Sequence, residues 1–321
     1  MYSRIAGTGS YLPEKVLTNA DLEERVETTD EWIRSRTGIA QRHVAADGET
    51  TTDLAEHAAR RAMEAAGVTA ADIDLICVGT TTPDLVFPNV GTLLQERLGI
   101  HGCPAFSLEA ACTGFVYALS VADKFVRLGE AKCALVVGAE TLTRIVDWND
   151  RGTCVIFGDG AGAVILKPAD EPGIISTRLH SDGKYKDLLQ YPDGVSMGFH
   201  LVRQGKAGVQ MKGNEVYKVA VNTLGQLVTE TLNVNGVTKD ELDWLIPHQA
   251  NIRIIEAIAK RLDLPMARVI VTIATHANTS AASVPLALDV GIRDGRVKRG
   301  QLLLLEAFGG GFTWGSALIR Y

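Results

Sequence analysis

The chain carries the same pattern twice. Gly67-Val68-Thr69 precedes Asp72-Ile73-Asp74-Leu75-Ile76, and Gly236-Val237-Thr238 precedes Glu241-Leu242-Asp243-Trp244-Leu245-Ile246. Gly67 and Gly236 are 169 residues apart, and so are Asp74 and Asp243. A helix-patterned stretch leads into each copy. In residues 52–66, Leu54, Ala58, Ala62 and Ala65 share a face; in residues 216–232, Val219, Val221, Leu224 and Leu227 recur with helical spacing. Farther on, residues 128–137 parallel 297–305, and residues 160–166 parallel 314–319. The last pair is closer because the first copy has an extra loop between Thr141 and Thr153. One such match is cheap, but several in order mark a duplicated architecture.

Each half reads strand, helix, strand, helix, strand, strand. The strands are short continuous apolar runs, as in sheets covered on both faces. The pattern predicts an α/β chain of two pseudo-symmetric halves, 1–170 and 171–321, with crossover helices packed between sheets. Ligands in open α/β sheets bind at the carboxyl ends of strands. Cys112, His248 and Asn278 each follow a predicted strand. At the repeat offset Cys112 aligns close to Ser280, so a pseudo-twofold axis brings the helix start at the cysteine to the helix start near the asparagine.

Composition narrows the function classes. The chain has 321 residues, 46% of them hydrophobic and 22% charged, an ordinary globular profile. No apolar run approaches the roughly 18 residues of a membrane span, and the first residues lack a charged-then-apolar signal segment. A cytoplasmic protein without a membrane partner is expected. The formal charge of −6 argues against general nucleic-acid binding. The five cysteines form no C-x-x-C pair, and Cys77, Cys133 and Cys154 lie in predicted strands, so disulfides are not expected. The seven histidines show no zinc-ligand spacing, so no metal is expected.

A single cysteine is more often a small buried hydrophobe than a catalyst. Cys112 differs because an apolar strand runs into an apolar helix at Leu108-Glu109-Ala110-Ala111-Cys112-Thr113-Gly114-Phe115. Unpaired N–H groups and the positive end of the helix dipole favour thiolate there. Pro247-His248-Gln249-Ala250-Asn251 and His276-Ala277-Asn278-Thr279-Ser280 supply an imidazole and a carboxamide. Asn278 reads equally well as a helix N-cap. His276 has no role assigned.

These segments, with Trp32-Ile33-Arg34-Ser35-Arg36-Thr37-Gly38-Ile39, Gly158-Asp159-Gly160-Ala161-Gly162-Ala163 and Phe308-Gly309-Gly310-Gly311-Phe312-Thr313-Trp314-Gly315, resemble the β-ketoacyl-acyl-carrier-protein synthase III family. The likeness runs nearly end to end; Glu109 stands where that family more often has Asp, and the carboxylate is kept. The resemblance implies a thiolase-like layered αβαβα fold. It also implies a decarboxylative Claisen condensation of a short acyl-CoA primer with malonyl-acyl carrier protein, initiating type II fatty acid synthesis without a cofactor. By resemblance Cys112 takes the acyl group, His248 and Asn278 stabilise the enolate, and the amides of Cys112 and Gly310 form the oxyanion hole. Trp32, Arg36, Arg151 and Asn251 would bind coenzyme A. Phe87, Phe157, Leu189, Met211, Tyr217 and Phe308 would line the acyl pocket, with Phe87 crossing the interface of a homodimer. Lys218, Arg253, Lys260 and Arg261 form a basic rim suited to an acidic acyl carrier protein; a solvated helix face explains them about equally well.

Other readings exist. A papain-like protease has the same Cys, His, Asn order, but its C-G-[SA]-C-[WY] signature is absent and the repeated α/β pattern is foreign to it. A synthase III-like enzyme of secondary metabolism with another acyl starter shares every motif. A non-enzymatic scaffold would leave Cys112 unacylated.

Overall fold

A computed structural model describes residues 1–321. The repeated carboxylates do the same job in both halves. Asp74 accepts from the backbone N–H groups of Lys132 and Cys133 at 2.7 and 2.9 Å, and Asp243 accepts from that of Leu302 at 2.7 Å. Each ties the start of one strand to the start of its neighbour. Just before them, Thr69 with Asp72 and Thr238 with Glu241 form equivalent capping boxes.

Two sheets result. The first runs Tyr2–Tyr11, Asp159–Ala169, Ala134–Thr141, Leu75–Gly79, Ala105–Leu108. The second runs Ile174–Ser181, Thr313–Arg320, Leu302–Gly309, Trp244–Pro247 in the same relative order. The fifth strand's counterpart shrinks to one parallel bridge between Leu245 and Val269. The short strand Ala105–Leu108 and the helix Val90–Arg97 extend the six-element reading of the first half. That strand is the apolar run read ahead of Cys112, and its four half-buried residues stand at a sheet edge.

Side chains along each central strand alternate between two cores. Ala134 and Val136 face a core shared with Phe115, Leu119, Leu288, Leu303 and Leu305. Leu135, Val137 and Ala139 face the helix Thr51–Ala66. In the second sheet Leu302 and Leu304 face the helices Gly213–Asn235 and Ile252–Arg261. The helices Gly114–Leu128 and Ser283–Arg293 lie between the sheets, completing five alternating layers. Both faces of each sheet are covered, which explains the unbroken apolar runs. No helix is long and apolar enough to cross a membrane.

Candidate active site

The two central helices each begin with a short 3-10 turn, Ala111–Thr113 and Ser280–Ala282, and these turns touch. Ala111 and Ser280, 169 residues apart, both take a positive φ, 46° and 49°. The duplication thus places two equally strained turns against each other. Strain at paired turns of this kind commonly accompanies a functional site. Glu109 accepts from the Ala111 N–H at 3.0 Å, so the carboxylate steadies the cysteine turn. Thr313 Oγ1 donates to the Ala110 carbonyl at 2.8 Å. Gly309 is required here: a Cβ on it would sit 2.6 Å from the Cys112 backbone nitrogen.

Cys112 is 7% exposed and lines two cavities at once. The first, about 810 Å³, is walled by Leu142, Ile145, Phe157, Leu189 and Val209, and reaches Gly310. The second, about 470 Å³, holds His248, Asn278, Asn251 and Arg36. Burial pushes the Cys112 thiol up to about 12, while the Ser280 hydroxyl acts in the other direction. The thiolate expected from the helix start is therefore not the resting form. Desolvation outweighs the helix end, and the side chain waits as a thiol.

His248 is buried, and burial alone lowers its pKa to about 3, so the imidazole is neutral. Its Nδ1 lies 2.5 Å from Ser283 Oγ, which itself accepts from the Gln249 N–H at 3.4 Å. The Ser283 proton is then free to point at Nδ1, which leaves Nε2 as the N–H donor. Asn278 Oδ1 accepts from the Ser280 N–H at 2.9 Å, just ahead of the turn whose N-cap residue is Thr279, and this leaves its Nδ2 donors for the cavity it lines.

Two guanidinium groups stand over the Trp32 ring: Arg36 and Arg151 lie 4.7 and 4.6 Å from its centroid. Asn251 Nδ2 donates to the Arg36 carbonyl at 2.9 Å, and its Oδ1 caps the helix Ile252–Arg261. Lys218, Arg253, Lys260 and Arg261 are exposed on two packed helices; Arg253 lines the mouth of the second cavity, while Arg261 lies across Gly225.

The six residues grouped around one acyl pocket are distributed differently. Phe157 and Leu189 line both cavities, whereas Met211, Tyr217 and Phe308 line only the second. Phe87 lines neither and is 83% exposed, beside exposed Leu85 and Val86. Residues on opposite sides of Cys112 look alike in an apolar sequence, so the sequence alone does not divide them between two cavities.

Three polar residues had no part in the sequence reading. Ser283 lies three residues beyond the quoted His276–Ser280 segment, about one helical turn on. Glu140 accepts from Thr82 Oγ1 at 2.6 Å and Ser280 Oγ at 3.1 Å, and burial pushes it up to about 7. Glu306 lines the second cavity, fully buried, with neither carboxyl oxygen bonded within the protein.

Burial pushes Glu306 from an ordinary 4.5 up to about 8, so it is neutral at pH 7. The folded state holds a proton that the unfolded chain releases, so stability falls as pH rises across that window. Glu306→Gln removes the titration. Relative to the parent, the variant should gain thermal stability between about pH 5 and pH 8, on the order of a few kcal/mol. Melting curves that keep a constant separation across that range would contradict a neutral Glu306.

Comparisons with known proteins agree with this geometry. The family model described as 3-Oxoacyl-[acyl-carrier-protein (ACP)] synthase III matches residues 106–183, and its C-terminal companion matches residues 232–321. The beta-ketoacyl-[acyl-carrier-protein] synthase III of Thioalkalivibrio sulfidiphilus is 67% identical over 320 residues, covering 100% of this chain and 99% of that one. Its namesake from Xanthomonas campestris is 68% identical over 321 residues, with the same coverage. The crystal structure of 3-oxoacyl-[acyl-carrier-protein] synthase III from Aquifex aeolicus superimposes with a TM-score of 0.94 at 46% identity, covering 99% of this chain and 100% of that one. The layered architecture is thiolase-like, and the chain belongs to the β-ketoacyl-acyl-carrier-protein synthase III family, also called 3-oxoacyl-acyl-carrier-protein synthase III.

Proposed function

We propose that the chain condenses an acyl group from acyl-CoA with malonyl-acyl carrier protein, with loss of CO₂. The observation that carries this reading is the position of Cys112, which joins a cavity walled in part by Leu142, Ile145, Phe157, Leu189 and Val209 to a second cavity containing His248 and Asn278. Such a junction lets one sulfur hold a primer on one side and receive a carbon nucleophile from the other.

In the first step the Cys112 sulfur attacks the acyl carbonyl. A new C–S bond forms, the bond to coenzyme A breaks, and the thiol proton ends on the departing sulfur. The backbone N–H groups of Cys112 and Gly310 would hold the carbonyl oxygen in the tetrahedral intermediate. In the second step the malonyl thioester loses CO₂ and the electron pair moves onto its thioester oxygen. His248 Nε2–H and Asn278 Nδ2–H would donate to that oxygen. The enolate carbon then attacks the acyl-cysteine and expels the sulfur as thiolate, which takes one proton from solvent to restore the thiol. The reaction balances with its two substrates and has no redox step, so no cofactor is required.

The acyl chain would lie in the first cavity against Phe157 and Leu189, with Leu142, Ile145 and Val209 beyond them. Coenzyme A would enter past Arg36 and Asn251, its adenine taken by Trp32 and Arg151. Met211, Tyr217 and Phe308 then flank the pantetheine side. The exposed Leu85-Val86-Phe87 segment at the rim of the first cavity supports a homodimer, in which a partner would cover it. Lys218, Arg253, Lys260 and Arg261 would meet an acidic carrier protein. The two halves, 1–170 and 171–321, would supply the nucleophile and the enolate donors respectively.

Given acetyl-CoA and malonyl-acyl carrier protein, the protein should release CO₂ and form acetoacetyl-acyl carrier protein in equal amounts. Acetyl transfer to the carrier protein without a new carbon–carbon bond would contradict the reading.

A further inference from the structure

Arg42 is fully buried, among the largest side chains with no exposure. Its Nη1 donates to the Leu17 carbonyl at 3.2 Å and Asn19 Oδ1 at 2.9 Å; its Nη2 donates to Asn19 Oδ1 at 3.0 Å and the Val155 carbonyl at 2.9 Å. Every one of these partners is neutral. A buried cation without a bonded carboxylate is costly, and burial lowers this guanidinium only to about 10, so it stays charged. Few other side chains could make these bonds at once, because a planar fork is needed to reach acceptors in several directions.

The acceptors lead to both sides of the Trp32 stack. Val155 is the C-cap residue of the helix Arg151–Cys154, which carries Arg151. Asn19, 1% exposed, uses its Nδ2 to grip the other helix, Asp30–Thr37, at both ends: it donates to Asp30 Oδ1 and to the Ile39 carbonyl, each at 2.8 Å. That helix carries Trp32 and Arg36. The two helices have eight and four residues, too short to be stable alone. The apolar core beneath them has only eight buried residues.

We propose that Arg42 is a positioning residue for nucleotide recognition: it fixes the segment bearing Trp32 and Arg36 against the segment bearing Arg151, so that Trp32 and Arg151 are already paired before the ligand arrives. The proposal rests on the coenzyme A reading of that stack. Preorganisation of this kind appears in binding of the nucleotide, not in the chemistry at Cys112.

The test compares acetyl-CoA with acetyl-pantetheine, which lacks the nucleotide. Lysine keeps the charge of Arg42 but cannot span its acceptors. Arg42→Lys should raise the KM for acetyl-CoA about tenfold, while kcat, and kcat/KM for acetyl-pantetheine, stay within about twofold. Equal losses on both thioesters would mean general destabilisation and overturn the proposal, as would no loss on either. Asp30→Ala, at a half-exposed side chain, releases one Asn19 bond without emptying the core. It should move the ratio the same way by a smaller factor, and it decides the matter if the lysine variant does not fold: an unchanged ratio overturns the proposal. Trp32→Ala, run in parallel, should abolish the preference for acetyl-CoA. If that preference survives, the coenzyme A reading has failed and the role of Arg42 falls with it.

Discussion

Replacing Cys112 with alanine is expected to abolish condensation, lowering turnover on the order of 10⁵-fold or more, as when other covalent nucleophiles are removed. No second sulfur can substitute. Cys77 and Cys154 are fully buried, Cys133 is 4% exposed, and none of them or Cys103 lines either cavity. The variant should fold, because the turn is held by Glu109, Thr313 and Gly309 rather than by the thiol. Malonyl thioester should still lose CO₂ in it, since that step uses His248 and Asn278 from the second cavity. Condensation within tenfold of the parent enzyme, followed as carbon–carbon product, would remove Cys112 from its assigned role.

His248→Ala and Asn278→Ala should each lower decarboxylation and condensation by about 10²–10³, the usual effect of losing one donor to a developing oxyanion. Acylation of Cys112 by acyl-CoA should change by no more than a few-fold. The double variant should fall short of the product of the two, because both donors act on one oxygen. The pH dependence carries a sign. Burial lowers the His248 pKa to about 3, so the ring stays neutral above that value and the rate should show no limb near 6.5. A limb there would mean that the imidazole titrates in the open, as a base and not as a fixed donor. Loss of acylation equal to the loss of decarboxylation would contradict the division of labour between the two steps.

Much of this was legible because the duplication is physical as well as textual. Asp74 and Asp243 recur because each sheet needs its adjacent strand starts tied together. Cys112 and Asn278 line one cavity because both central helices begin at the same point of the repeat. The glycine run at 309–311 belongs to the motifs that carry the resemblance, and Gly309 presses on the Cys112 amide. What stayed hidden depends on three-dimensional surroundings. The neutral state of Glu306 follows from burial on a strand face that its apolar neighbours do not announce. The resting state of Cys112 depends on how completely the two turns exclude water. The division of Phe157, Leu189, Met211, Tyr217 and Phe308 between two cavities depends on which side of one sulfur each ring falls. Arg42 lies in an unremarkable polar stretch, and only its bonds to Asn19 and Val155 distinguish it.

The central claim is that Cys112 carries the acyl group between two cavities. Intact-protein mass spectrometry after brief exposure to acetyl-CoA, without malonyl substrate, tests it most directly. One acetyl group per chain should appear in the parent protein, vanish on addition of malonyl-acyl carrier protein, and be absent from Cys112→Ala. An adduct of the same size on the alanine variant, or a parent protein that gains no mass with any short acyl-CoA, would contradict the account.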